Sequence, residues 1–239
     1  MALTKFHGPT LDEIGFFYCI STCVVLTLFS LVLFFNETYL LLGSFSIYPA
    51  FLFLGVLELT KWTYSQILHQ KDSLIYRNKK LSVILLLWNN LKTSGFKEFF
   101  KSIIIVGGSV IVYYILAVLF GAQVLKNFEE TFMFSMLLSQ LTIFPLCLNV
   151  GASDIPHLLS TMESSNAIHS LLIMNIKGTL AGAWLGAIVI PLDWDRPWQE
   201  WPIPCSVGAF CGYILSHYVL LIQTFISPTT KFWMPRKKQ

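Results

Sequence analysis

Residues 190–202 read Ile190-Pro191-Leu192-Asp193-Trp194-Asp195-Arg196-Pro197-Trp198-Gln199-Glu200-Trp201-Pro202, placing three carboxylates and one arginine among three tryptophans and three prolines. Asp193 and Asp195, two positions apart with Arg196 alongside and Glu200 following, could share a proton or hold an ion, which is the chemistry of acid–base or metal-assisted transfer. The same side chains could instead bind a polar headgroup or glycan. The simplest reading is structural. Here the acids and Arg196 form a salt-bridged loop pinned by Pro191, Pro197, Pro202 and Pro204, while Trp194, Trp198 and Trp201 anchor it at headgroup depth and offer a corner to a partner. We take this last reading and assign no catalytic residue. A helix in hydrocarbon is excluded for the segment, because proline removes backbone donors and unsatisfied polar groups are costly in lipid.

The elements that must hold this loop are apolar. The 239 residues are 55% hydrophobic and 12% charged, against about 25% charged in a soluble domain, and the mean hydropathy is +0.65. Six stretches approach the ~20 apolar residues that cross a ~30 Å hydrocarbon core: about 14–35, 39–57, 103–124, 131–150, 172–190 and 204–226. The expected fold is an all-α integral membrane protein, a six-transmembrane-helix bundle forming a single polytopic domain over 1–239. The first stretch lacks a basic leader and a small-residue cleavage site, so it is expected to be a span rather than a removed signal peptide.

Positive charge sets the expected orientation. With six spans, the N-terminus, the loops 58–102 and 151–171 and the tail share one side. That side carries Lys5, eight basic residues within 58–102, and Lys231, Arg236, Lys237 and Lys238. The other side carries Lys126 and Arg196. The positive-inside rule then makes both termini cytoplasmic and the tryptophan-rich loop 191–203 luminal or exterior. Asn36-Glu37-Thr38 is formally a glycosylation sequon on that same side, held close to the bilayer by a tight hairpin. Within the cytoplasmic loop, the apolar run Leu81–Trp88, flanked by lysines, suits an interfacial helix or a cap on the bundle.

Gly178, Gly182 and Gly186 recur every four residues on one helix face, and Gly208 and Gly212 repeat the device after the loop. No hydrophobic force drives helices together in lipid, so small residues that admit close backbone contact favour association. Two alternatives follow: the fifth and sixth spans pack on each other, or their glycine faces receive a partner's helix. Lys177 and Asn175 sit near a span end, where a lysine can snorkel, and Glu58 has the same explanation at the end of span two. The five cysteines, alone or with the five histidines, show no metal or haem spacing, so the cysteines read as small packing residues in helices. No metal, cofactor or nucleic-acid partner is expected.

The run Gly182-Ala183-Trp184-Leu185-Gly186-Ala187, followed by Ile190 to Gln199 and by Trp201-Pro202, closely resembles the phosphatidylinositol-glycan biosynthesis class F family. The match is dense over about 180–213, and length and hydropathy fit the family over the whole chain. The resemblance implies a multi-pass endoplasmic-reticulum protein of glycosylphosphatidylinositol (GPI) anchor assembly. It implies a non-catalytic subunit that stabilises two large ethanolamine phosphate transferases, which move phosphoethanolamine from phosphatidylethanolamine onto mannoses of the glycolipid. In that picture the transferases supply a luminal metal-dependent domain of the alkaline-phosphatase type, for which this chain has no room. Gly178, Gly182, Gly186, Gly208, Gly212, Asp193, Trp194, Asp195, Arg196, Trp198 and Trp201 are then the expected docking residues for the transferase helices. Membrane lipids are the other expected partners. The alternatives are direct transfer chemistry at Asp193, Asp195 and Arg196, or a lipid-binding or lipid-moving module. The terminal Arg236-Lys237-Lys238-Gln239 lies close to a dilysine retrieval signal but has arginine at its first basic position.

Overall fold

The computed structural model describes residues 11–77, 95–123, 126–162, 167–192 and 194–226, and among them the regular elements are all helical. These are α1 (Leu11–Phe35), α2 (Tyr48–Arg77), α3 (Gly95–Leu119), α4 (Phe128–Val150), a short α5 (Ile155–Thr161), α6 (Ala167–Ala187) and α7 (Ile203–Ile226). Single 3-10 turns occupy Thr38–Leu41, Phe45–Ile47 and Pro197–Gln199. The segments Lys97–Leu119, Phe128–Val150 and Ile203–Ile222 are long and apolar enough to cross a membrane. The run Leu81–Trp88, Asp193 and the basic tail lie outside the described residues.

Local chemistry fixes the helix ends. Glu37 turns into the left-handed region at φ 54° and stops α1. Glu129 and Glu130 stand in the first turn of α4, where carboxylates complement the positive end of the helix dipole. Gly151, at φ 86°, follows the last residue of α4, a backbone state open to glycine without a Cβ penalty. Where hydropathy ends the second stretch at residue 57, α2 instead continues to Arg77. The cause is internal: Glu58 and Lys61 neutralise each other inside the bundle rather than ending the helix at its surface.

Helix α4 is the central post. Of its membrane-length window 72% is buried, against 11% for α3, so α3 is peripheral and shows an apolar face outward. The α6–α7 pair makes the most extensive contact, followed by α3–α4, with α1 laid against α7 and α2 against α4. Two apolar clusters fill the interior. One joins Leu26, Phe51, Leu54, Phe134, Leu137 and Tyr213. The other joins Cys19, Leu146, Leu171, Leu172, Ile176 and Leu220. Hydroxyls stitch α3 to α4, with Ser109 Oγ 2.6 Å from Ser139 Oγ and Tyr113 Oη 2.8 Å from Thr142 Oγ1.

Candidate functional site

The glycine faces meet each other. A Cβ built on Gly182 would overlap the Gly208 carbonyl, one on Gly208 the Gly182 carbonyl, one on Gly212 the Gly178 carbonyl, and one on Gly186 the Pro204 carbonyl. On Gly178 it would overlap the Ser216 hydroxyl. The seam that sequence left open between mutual packing and a partner's helix is thus occupied by the chain's own backbone. By contrast, Gly107 and Gly108 of α3 face open space.

Closing this seam fixes the loop that joins the two helices. The Gln199 side chain is buried, and its Nε2 donates to the carbonyls of Val189 at 2.7 Å, Ile190 at 3.4 Å and Leu192. These carbonyls lie just past the end of α6, where helical partners run out. Trp201 Nε1 donates to Thr131 Oγ1 at 3.1 Å, and its ring meets Phe134 edge-on at 5.2 Å, pinning the loop to α4. Gly43 closes the far side: a Cβ there would stand 2.6 Å from Pro202 Cδ. Replacing Gln199 with leucine should cost about 0.5–1.5 kcal/mol, the net worth of an ordinary hydrogen bond, because the Val189 and Leu192 carbonyls keep backbone donors from Leu192 and Trp194. Hydrogen–deuterium exchange over 189–199 should rise, and unchanged protection there would refute the tie.

The outer face of the loop is bare. Trp194 is exposed and meets the half-buried Trp198 edge-on at 5.8 Å. Asp195, Arg196 and Glu200 are exposed, and the ion pairs among the described residues are Glu58–Lys61 and Glu98–Lys101. The expected salt bridge within the loop is therefore not formed by Arg196 with Asp195 or Glu200. Gln199 supplies the rigidity instead, because a buried amide can satisfy several carbonyls at once and an exposed ion pair adds little. Asp195 sits at φ 46°, a left-handed state for which aspartate is enriched, which gives it a backbone role.

A second constellation emerges only in three dimensions. Lys61 Nζ donates to Glu58 Oε1 at 2.5 Å and to Thr22 Oγ1 at 2.8 Å, and Tyr213 Oη donates to the same Glu58 oxygen at 2.9 Å. His217 Nδ1 lies 3.0 Å from the Tyr213 carbonyl, and its Nε2 lies 3.2 Å from Asn175 Nδ2. A carbonyl only accepts, so Nδ1 carries the proton and Nε2 accepts from the amide. Thr22, Glu58, Lys61, Asn175, Tyr213 and His217 are all buried. They tie α1, α2, α6 and α7 together. Asn175 and Glu58, expected at helix ends, thus belong to the interior, whereas Lys177 is exposed. Polar residues inside apolar helices were the available signal; their partners were not readable. Among the described residues no three His, Cys, Asp or Glu side chains gather as a metal site.

A glycine seam, a buried charge cluster and a rigid aromatic loop define, among the described residues, an all-helical protein with three helices long and apolar enough to cross a membrane. Comparison narrows the class, for the family model described as GPI biosynthesis protein family Pig-F matches residues 16–221. The chain belongs to that family. It is 36% identical over 127 residues to the human "GPI ethanolamine phosphate transferase, stabilizing subunit", covering 51% of this chain and 53% of that protein. It is 36% identical over 134 residues to Candida albicans "Glycosylphosphatidylinositol anchor biosynthesis protein 11", covering 52% and 51%. Against the Schizosaccharomyces pombe "PIGF/3-ketodihydrosphingosine reductase fusion protein" it is 41% identical over 113 residues, 47% of this chain and 22% of the fusion. The chain thus spans about half the length of the human and Candida relatives and about a fifth of the fusion. No solved structure matches it.

Proposed function

We propose that this chain is a non-catalytic, stabilising membrane subunit of the ethanolamine phosphate transferases that build the GPI anchor. The observation that carries this reading is its family membership, together with the name of its human and mouse relatives, a stabilizing subunit of such a transferase. We place it in the endoplasmic reticulum as a six-span bundle with cytoplasmic termini, so that the tryptophan corner faces the lumen. The basic residues of the 58–102 stretch support that orientation. The large transferases are its proposed partners, and they dock at the corner built from Asp193, Trp194, Asp195, Arg196, Trp198 and Trp201. The five glycines contribute indirectly, because their contacts fix the α6–α7 pair that carries the corner. An exposed tryptophan beside exposed charges on a stapled loop presents contact area at little ordering cost.

Affinity purification of the full chain from mild detergent, followed by mass spectrometry, tests the reading. A large ethanolamine phosphate transferase should co-purify, and its abundance should fall when the chain is depleted. Recovery of the chain alone, with transferase levels unmoved by depletion, would sink the proposal. Replacing Asp193 and Asp195 together by asparagine separates docking from chemistry. Transfer of phosphoethanolamine should continue as long as the complex assembles. An assembled complex without transfer activity would move the assignment to catalysis at this loop.

A further inference from the structure

Between α1 and α7 lies an open groove of about 980 Å³. Its walls are apolar, formed by Leu31 and Phe34 on one side and by Val207, Cys211 and Leu215 on the other. Tyr39 and Trp198 stand at the end next to the aromatic loop. At the opposite end the helices converge, with Thr27 Oγ1 and Tyr218 Oη 3.1 Å apart.

Length and charge decide what fits. From Phe34 back to Thr27 the α1 wall runs about 10 Å at the helical rise, and the α7 wall from Ile203 to Tyr218 about 22 Å. Side chains lean toward the N-terminus of their helix, so the Tyr218 hydroxyl closes the groove nearer the loop than its own Cα. The two wall lengths bracket one leaflet, about 15 Å of a ~30 Å core. A partner's crossing helix would need a face about twice as long, and the Thr27–Tyr218 contact blocks it. A single hydrocarbon chain needs only the observed run. Arg196, two residues before Trp198, is exposed and joins neither of the two ion pairs among the described residues. Arg196 thus puts a cation in the same loop segment as a groove-lining ring, a donor suited to an anionic phosphodiester. Tyr39 and Trp198 at that end have the amphipathic rings that favour headgroup depth.

We infer that the α1–α7 groove is a phospholipid site, holding one acyl chain of a glycerophospholipid from the leaflet at the loop, with its phosphate at Arg196. The site shares Arg196 and Trp198 with the docking corner proposed above, but its acyl-chain groove does not depend on that role and survives if the role fails. The test uses the full chain in phosphatidylcholine vesicles containing a small fraction of phosphatidylcholine with a photoreactive diazirine in one acyl chain. After illumination, adducts should concentrate on 31–34 and 207–215, several-fold above Ile104 and Ile111, which are exposed on α3. Equal labelling of the two faces in the unaltered protein would overturn the site, independently of any variant. Val207→Trp, which fills the groove, should bring its labelling down to the α3 level. Arg196→Ala should lower labelling by the phospholipid probe but not by a diazirine fatty alcohol, which lacks the phosphate. Undiminished labelling in a folded Val207→Trp protein would also refute the proposal, as would crosslinks from the groove to a helix of a co-purified second chain.

Discussion

Gly182→Ala is expected to force α6 away from α7 and to destabilise the folded chain by at least about 3 kcal/mol, beyond the usual ~1–3 kcal/mol range for overpacking. The reason is the atom that the new methyl meets. It would overlap the Gly208 carbonyl and crowd the Gly212 Cα, which are backbone positions that cannot rotate away. The strain then falls on the helix axes, so neighbouring contacts at Gly178 and Gly212 open as well. Gly107→Ala or Gly108→Ala in α3 provides the control. Nothing lies near a Cβ at either position, so alanine should be neutral or stabilise by about 0.5–1 kcal/mol through helix propensity. Detergent-solubilised protein followed by thermal unfolding compares them directly. Equal midpoints for the Gly182 and Gly107 variants would show that the seam is loose. Because the seam is internal, a fall in co-purification of a partner from Gly182→Ala reports damage to this chain's own fold; loop substitutions are the cleaner probe of docking.

The second large effect is expected at Lys61. Lys61→Met strands the Glu58 carboxylate among buried neighbours, with the Tyr213 hydroxyl as a remaining donor. Removing one member of a buried ion pair costs about 3–5 kcal/mol, because the other keeps its desolvation penalty without its counter-charge. Glu58→Leu combined with Lys61→Met removes both charges and should recover much of that loss, less the hydrogen bond that the Tyr213 hydroxyl gives Glu58. Chemical denaturation in micelles of the single and double variants gives the coupling energy. Strictly additive losses would exclude a direct pair. His217 adds to the same structure through Asn175 and the Tyr213 carbonyl, so Asn175→Leu should destabilise less than Lys61→Met, since no charge is stranded.

Much of the fold is legible from residue order because it depends on near neighbours. Apolar runs give the helices, and glycines every fourth residue mark surfaces that must be approached closely by another backbone. Three tryptophans among four prolines between 191 and 204 announce a loop that cannot be helical. The same residues carried the family resemblance that the comparison then established. Less was legible at the loop itself. Its charges suggested an ion pair, while the tie is made by Gln199, a residue whose sequence context carries no signal of burial.

What residue order by itself determined, then, is the approximate place of the six long helices but not the short α5, the close-contact faces on α6 and α7, and an aromatic corner between them, all consequences of local periodicity and backbone chemistry. Only the tertiary structure decided which surface filled the glycine faces, where Glu58 and Lys61 go, and that Thr22, Asn175, Tyr213 and His217 surround them. Those contacts join residues up to 155 positions apart, as between Glu58 and Tyr213. The pairing of buried polar groups depends on which helix faces meet in space, and no spacing along one helix encodes that.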